Sequence, residues 1–487
     1  MVEQQVNISS HIWDIALCAQ DDRSLEDLAG KSSCIFVRSL DHLAFDSENA
    51  TGQKLTAREV LRNFGKEKIA EILEYGSAIL VSDPDRPTAQ PGARIRSRRT
   101  TLGLSPSDLA RKSGISREDI IALESGSSRL PARVLARICS ALALDEYRIG
   151  LEDPSARNRA LGVRFRKLQR DPDSDGHRLT KSSALSLLED AWVIAKQNAL
   201  RQALRHASDF HSKFDPDPDY GDAQRPAWRV GYELASRTRQ NLGLHPEEPI
   251  ASLGSLVEDD LGIPLVQDEL PQDIAGATLQ SGDARGIVVN IAGRNFNTWS
   301  SRLTIAHELG HLLWDPEDSL DALMVDTNDR LDEPPWEAKS YVEQRANAFA
   351  IEFLAPRAAI RKHFDPGSPP GNIRDFMVEF GVSFTAARYH IWNATHRAWD
   401  LKDITTIDVT PTDDWEGREQ FLITYIPSRQ LEAANFRMNR RGKFLCHVVD
   451  ARREKLISDD TAALYLGIEP ELIPDVEDIR DTLFDSP

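Results

Sequence analysis

Apolar positions along this chain recur mostly at spacings of three and four residues, with only short runs of consecutive apolar residues between them. That pattern predicts a mainly α-helical protein with a small β-sheet, an α+β class. Leu185, Leu188, Trp192, Ala195 and Ala199 mark a long amphipathic helix, which either packs against the chain's own domains or serves self-association into a homo-oligomer. Leu109, Ala110, Ile115, Ile120 and Leu123 supply one shared core across a break at Gly114, so two short helices are expected there. Leu303, Ala306, Leu309, Gly310, Leu312 and Leu313 make a helix that is apolar round most of its circumference and therefore reads as buried, with Asn297 and Thr298 as its candidate N-caps. Residues 338–354 form a further helix, ended by Pro356. Thr56-Ala-Arg-Glu59 is a capping-box pattern that opens a helix running to about Tyr75. Phe421–Ile426 and Phe444–Val449 read as short apolar strands or buried helix starts, and Ile287–Asn290 as an extended edge strand on which a peptide could pair.

Punctuation divides the chain. Ser82-Asp-Pro-Asp-Arg-Pro is a linker, and the acidic, proline-broken stretches at 171–176 and 215–219 are connectors. The expected organisation is an N-terminal region at 1–88, a compact helical unit at 92–145, a helical linker at 152–226, a larger domain at 227–398 and a C-terminal region at 399–487. At 487 residues, two to four domains are expected.

Within the apolar helix stands His307-Glu308-Leu309-Gly310-His311. Positions i and i+4 lie one above the other on a helix, so His307 and His311 present two imidazoles to a single metal ion. Glu308 lies about 100° further round, within reach of a water on that metal. Polar side chains in a buried helix need partners, and a metal supplies one. Two histidines with an adjacent carboxylate form the zinc-peptidase arrangement: two nitrogen ligands, and Glu308 as general base. Gly310 is a poor helix former, costing about 1 kcal/mol relative to Ala, which suits a close approach by another backbone. A catalytic zinc site takes a third protein ligand and keeps one position open for water. Glu343 leads, because it shares a face with the small residues Ala346 and Ala350; Glu337 and Glu352 are its rivals. Arg388, Tyr389 and His390 are candidates for stabilising an oxyanion, each with a structural role as the plainer alternative.

Several segments then occur in a telling order: Leu261-Gly-Ile-Pro-Leu, Ala275-Gly-Ala, Gly286-Ile-Val-Val-Asn, Arg302-Leu-Thr-Ile-Ala-His-Glu-Leu-Gly-His, and Glu343-Gln-Arg-Ala-Asn-Ala-Phe-Ala with Leu354-Ala-Pro. Together they resemble the ImmA/IrrE metallopeptidases over about residues 228–395. The one visible departure is Leu303, where that family usually carries Phe. The resemblance implies a zincin-like fold, zinc ligands at His307, His311 and Glu343, and Glu308 as base. It also implies a protein substrate, since members typically cut a helix-turn-helix repressor and so release stress or mobile-element genes.

The unit at 92–145 changes the picture again. Ser105 caps one helix, Gly114 makes the turn and Ser116 caps the next, a helix-turn-helix arrangement that resembles the XRE-type domains of phage repressors. Ten Lys and Arg stand against five Asp and Glu in this unit, inside a chain of net charge −18. That local excess suits duplex DNA. Arg94, Arg96, Arg98 and Arg99 are candidate phosphate contacts, and Ser116 and Arg117 open the helix that reads base edges in such modules. Glu118 and Asp119 follow directly and would face phosphates unless they turn aside.

The overall acidic charge argues against general nucleic-acid coating. Cys18, Cys34, Cys139 and Cys446 are scattered without a paired spacing, which fits a reducing cytoplasm and argues against a cysteine zinc site. The sequence contains neither a long apolar span nor a signal-like N-terminus, so no membrane association is expected. Segment 456–467 is a weaker turn-helix pattern that reads as a packing element. The expectation is therefore a cytoplasmic zinc metalloendopeptidase acting on a repressor and carrying its own DNA-binding module. The alternative is a transcriptional regulator or antitoxin whose peptidase fold is a sensor or scaffold.

Overall fold

The computed structural model describes residues 15, 22–46, 51–81, 85, 89–149, 181–206, 225–271, 274–281, 284–292, 295, 297–315, 324–327, 341–364, 369–395, 404, 406–411, 413–419, 429–433 and 435–484. The connectors at 171–176 and 215–219, the run 421–426 and Glu337 lie outside them. The chain divides into two compact units.

The first unit combines 1–171, 178–207 and 424–487. Helix α1 (Asp22–Lys31) precedes strands β1 (Ile35–Arg38), β2 (His42–Phe45) and β3 (Gln53–Thr56). Helices α2 (Ala57–Phe64) and α3 (Lys66–Tyr75) lead to β4 (Ser77–Ile79), completing an antiparallel sheet of order β3-β1-β2-β4. The Thr56–Glu59 capping box forms, but the helix it opens stops at Phe64 and a second helix covers the rest of the way to Tyr75. Gly65 adopts φ +83°, a left-handed backbone angle open to glycine, and the chain starts a second helix there.

Four helices follow: α4 (Ala89–Thr101), α5 (Pro106–Ser113), α6 (Arg117–Glu124) and α7 (Ala132–Ala141). Helix α8 (Lys181–Ala203) packs against α7 and against the helix Lys443–Arg453. The sequence pattern made α8 amphipathic, whereas Leu187, Val193 and Ile194 are buried alongside Leu185, Leu188 and Trp192. Leu185, Leu188 and Trp192 pack within the helix's own unit, as the packing alternative expects, while Ala195 is half-buried and Ala199 exposed. Phe444–Val449 lies in the helix Lys443–Arg453. Segment 456–467 gives the helix Asp459–Leu466, capped by Ser458, whose buried residues pack it on β3 as a structural element. There the Gln53 amide donates to Thr461 Oγ1 (3.0 Å) and Ser458 N–H donates to Glu59 Oε2 (2.9 Å).

The second unit spans 208–423 with 172–177. It contains α9 (Ala227–Asn241) and strands β5 (Leu265–Asp268), β6 (Ile274–Ser281) and β7 (Ala284–Asn290). Then come α10 (Thr298–Trp314), β8 (Met324–Thr327), α11 (Tyr341–Leu354), α12 (Arg357–His363), α13 (Pro369–Phe380) and α14 (Phe384–Ala394). The sheet order is β5-β7-β6-β8, with β5–β7 parallel and the other two pairings antiparallel. Ile287–Asn290 is therefore interior, hydrogen-bonded on both sides, and cannot accept a further strand. The edges are β5 and β8.

Helix α10 lies across β6 and β7 and is buried nearly all round, as its apolar pattern predicts. Helix α11 packs on both α9 and α10. A Cβ added at Gly231 of α9 would sit 2.3 Å from the Arg345 carbonyl oxygen, so glycine is what lets α9 and α11 approach this closely. Arg302, in the first half of α10, is wholly buried: it pairs with Glu419, donates to the Ile250 carbonyl (3.0 Å) and stacks on Trp415 with 4.3 Å to the ring centroid. Trp415 and Glu419, which lie beyond the expected domain end at 398, thus support this helix.

Candidate metal centre and helix-turn-helix

Asn297 opens α10, its side-chain oxygen accepting from Trp299 N–H at 2.8 Å. Two turns on, His307 and His311 point the same way, and their Nε2 atoms lie 3.0 Å apart. Helix α11 brings in Glu343, whose Oε2 is 3.4 Å from His307 Nε2 and 3.9 Å from His311 Nε2. All three side chains are buried, and Glu343 Oε2 has no hydrogen-bond donor. A tetrahedral zinc ion bound at about 2.0–2.2 Å to each of three ligands spaces those ligands by about 3.3 Å. The observed spacings bracket that figure, and the donor set of two imidazoles and one carboxylate fits the ion.

Gly310 meets Phe349 at this helix crossing: an added Cβ would lie 2.8 Å from the ring. The close approach expected at Gly310 is real, but the Phe349 side chain of α11 makes it in place of another backbone. The rival ligand Glu352 is buried elsewhere on α11, accepting from Arg357 Nε (3.0 Å) with His390 Nε2 at 3.5 Å, and burial pushes its carboxyl up to about 7. It joins α11 to α12 and α14 and takes no part in the His307–His311–Glu343 cluster.

Glu308 is fully buried beside the cluster. Thr278 of β6 donates its hydroxyl to Glu308 Oε2 at 2.7 Å. A Cβ at Gly276 would fall 2.7 Å from Thr304 Cγ2 and 3.0 Å from Glu308 Oε1, so glycine on β6 leaves room for the carboxylate.

Behind the ligands runs a second layer. His311 Nδ1 and Asp315 Oδ2 are 2.9 Å apart, and Asp315 in turn pairs with Arg345 of α11. All three are buried. Burial pushes the His311 imidazole down, but Asp315 and Glu343 outweigh it and hold it up at about 9. Metal binding at this cluster would require His311 to give up that proton. A carboxylate on the far nitrogen of a metal-binding histidine fixes its tautomer and orients its ring.

Sequence reasoning missed Thr278, Asp315 and Arg345. Asp315 was within reach of it, since it follows His311 by one helical turn. Arg388, Tyr389 and His390 have other engagements. Arg388 donates to the Ile404 carbonyl (3.2 Å) and lies over the Tyr389 ring, while His390 Nε2 meets the Ala355 carbonyl at 2.7 Å. Burial lowers the His390 pKa to about 3, so this imidazole is neutral and structural.

In the first unit, α5 and α6 form the expected turn. Ser105 accepts from Asp108 N–H (3.1 Å) in a full capping box, Gly114 takes φ +67°, and Ser116 accepts from Asp119 N–H (3.0 Å). Leu109, Ile120 and Leu123 are buried between the helices, while Ala110 and Ile115 are half-buried. Asp119 is turned aside: its Oδ2 accepts from the Ser116 hydroxyl at 2.7 Å. Arg117 is exposed with its Nη1 3.7 Å from Glu118, and Arg96 is exposed on α4.

Two of the arginines expected on phosphates face inward instead. Arg98 is buried and donates to the Leu142 carbonyl (3.0 Å). Arg99 grips both oxygens of Glu124 (2.6 and 2.7 Å) and donates to the Leu104 carbonyl. They tie α4 to α6 and to the end of α7, so that part of the positive excess holds the module together. Arg94 is half-buried and donates to the Arg148 carbonyl at 2.7 Å.

Two segments of the chain match known families. Residues 281–391, which include His307, Glu308, His311 and Glu343, match the IrrE N-terminal-like domain, a peptidase family. Residues 91–148, which include α5 and α6, match a helix-turn-helix domain. A search of curated proteins found no match to the chain. Among the described residues no helix is long and apolar enough to cross a membrane.

Proposed function

We propose that this chain, which joins a helix-turn-helix domain to a peptidase-family IrrE N-terminal-like domain, is a zinc-dependent regulatory endopeptidase of the cytoplasm that cleaves a DNA-bound repressor or similar regulator. The observation that carries the reading is the convergence of His307, His311 and Glu343 with Glu308 in one buried site. Zinc held by the three ligands would supply a polarised scissile carbonyl and an acidified water. Glu308 takes the proton of the attacking water and later gives it to the leaving amine. Thr278 holds Glu308 Oε2, which leaves Oε1 to handle the proton. Asp315 fixes the donor nitrogen of His311, and Arg345 fixes Asp315.

Arg96 and Arg117 are exposed to meet duplex DNA, with Arg94 and Ser116 beside them although each also makes contacts within the chain; Arg98 and Arg99 are engaged within the module. A helix-turn-helix that shares DNA with the substrate repressor raises the effective concentration of protease at its target. The substrate class follows from the same logic, because a protein already bound at the operator is what such a tether brings near.

The test is Glu308→Gln with a candidate repressor encoded beside this chain's gene. The variant should keep its zinc and its fold but lose cleavage, since the amide has the carboxylate's shape without its basicity. Cleavage at the wild-type rate by Glu308→Gln would overturn the assignment. A wild-type protein that holds zinc and binds DNA yet cuts no neighbouring regulator would favour the sensor reading.

A further inference from the structure

A cavity of about 370 Å³ lies within the first unit, behind the helix-turn-helix. Five cationic side chains line it, Lys112, Arg133, Arg137, Arg437 and Arg440, against two carboxylates, Glu189 and Glu469. In a chain of net charge −18 this is an excess of three positive charges in one concavity. The C-terminal ends of α5, α7 and the helix Asp459–Leu466 also border it, and about half a negative charge from each offsets roughly half of that excess. The remainder is still positive.

The cations play two roles, and Arg437 shares in both. Glu189 is buried and gathers Lys112 (2.8 Å), Arg437 (2.5 Å) and Arg440 (2.7 Å), and Arg440 also donates to the Tyr465 carbonyl and lies over Trp192. This set holds three distant parts of the chain together. At the mouth, Arg137 is exposed and its guanidinium has no carboxylate within ion-pair distance among the described residues. Among the described residues Arg133 meets the exposed Glu469 alone, at 3.3 Å, and Arg437 is half-exposed with Glu189 as its carboxylate partner. Guanidinium groups with free edges are the side chains best shaped to grip phosphate oxygens in pairs. Val134, Leu464 and Ile468 give the same cavity an apolar wall.

We propose that this cavity binds a phosphate-bearing organic metabolite of about nucleotide size, with Arg133, Arg137 and Arg437 on the phosphates and the organic part against the apolar wall. The volume falls in the range of small-molecule sites, about 300–1,000 Å³. Arg137 also crosses the turn of the DNA-binding motif: a Cβ at Gly114 would lie 2.6 Å from its Nη2. A ligand that takes hold of Arg137 therefore acts on the junction of α5 and α6.

The experiment uses the full chain at low salt, titrated with AMP, ATP, GTP, ribose 5-phosphate and inorganic phosphate, with binding read by calorimetry. At least one organic phosphate should bind with a Kd of about 0.1 mM or tighter, and at least tenfold more tightly than inorganic phosphate. Arg137→Glu and the double variant R133E/R137E should weaken it tenfold or more. Arg137 is exposed and Arg133 partly so, and circular dichroism and urea unfolding check that the variants are folded. Absence of binding by every organic phosphate would overturn the proposal. So would equal affinity for inorganic phosphate, or an R133E/R137E variant that binds as wild type. None of the cavity's residues belongs to the peptidase unit, so failure here leaves the peptidase reading standing, and failure of cleavage leaves this one standing.

Discussion

Asp315→Asn separates the metal-supporting role of the layer behind the ligands from its role in the fold. The carboxylate lies 2.9 Å from His311 Nδ1 and pairs with Arg345, and all three groups are essentially shut off from water. The amide can still accept from His311 Nδ1–H, but it no longer carries the charge that makes the imidazole a strong donor to a metal. Loss of such a partner typically lowers metal affinity ten- to a hundredfold, or about 1.4–2.7 kcal/mol. The same change removes Arg345's buried carboxylate partner, and breaking a buried ion pair from one side costs about 3–5 kcal/mol of stability. These two losses respond differently to a second change. In D315N/R345M the cation is gone as well, so most of the stability should return while zinc affinity stays low. The assay is a zinc competition titration with a chromophoric chelator, run beside urea unfolding, on wild type, D315N, R345M and the double variant. If D315N binds zinc within twofold of wild type while folded, Asp315 does not tune His311 and the argument fails.

Other outcomes follow from the same geometry. The purified chain should hold about one zinc per molecule; His311→Ala should abolish it and Glu343→Gln should weaken it, and metal analysis showing full occupancy in His311→Ala would remove the ligand assignment. Arg99→Met should destabilise the first unit by about 3 kcal/mol, because it strands the buried Glu124. Arg96→Ala and Arg117→Ala, both exposed, should leave stability unchanged while lowering DNA affinity and, for Arg117, shifting sequence preference; mobility shifts at several salt concentrations beside urea melts read both effects. Burial raises the Glu59 carboxyl from 4.5 to about 7, so the folded state holds a proton that the unfolded chain releases. This contribution to stability is full below pH 4.5 and is lost as pH rises towards 7, an amount of about 3 kcal/mol. Hydrogen exchange in α2 and α3 should therefore quicken from pH 5 to pH 7.5 after correction for intrinsic rates, and Glu59→Gln should flatten that dependence; an unchanged slope in the variant would assign it to another group.

What the sequence makes legible depends on whether a signal is local. His307, Glu308 and His311 fall within five residues, so the 3.6-residue period alone puts both imidazoles on one face. The caps Ser105, Ser116 and Asn297 are equally local: each is a short polar side chain just ahead of an apolar run, and each accepts a backbone N–H in the structure. Non-local pairings leave no such trace. Arg98 and Arg99 look like phosphate contacts because arginine is usually exposed, and only the fold shows Glu124 and the Leu142 carbonyl waiting for them. Ile287–Asn290 looks like an edge strand, but strand order is set by crossovers and not by composition, and the parallel partner β5 precedes it by some twenty residues.

Arg345 is the most instructive case, because it carries two meanings at once. Its side chain supports Asp315, while its carbonyl oxygen lies where a Cβ at Gly231 would intrude, and Glu343 stands two residues before it on the same helix. The docking of α11 therefore sets three things together: the reach of the third ligand, the charge behind His311, and the contact with α9. A periodic pattern can report that α11 is buried on more than one face. It cannot report that a single helix delivers one of the proposed metal ligands directly and steadies another through Asp315. That coupling is the reason a change in α11 far from the ligand atoms should be felt at the metal, and the reason the D315N and R345M variants test the site as one unit.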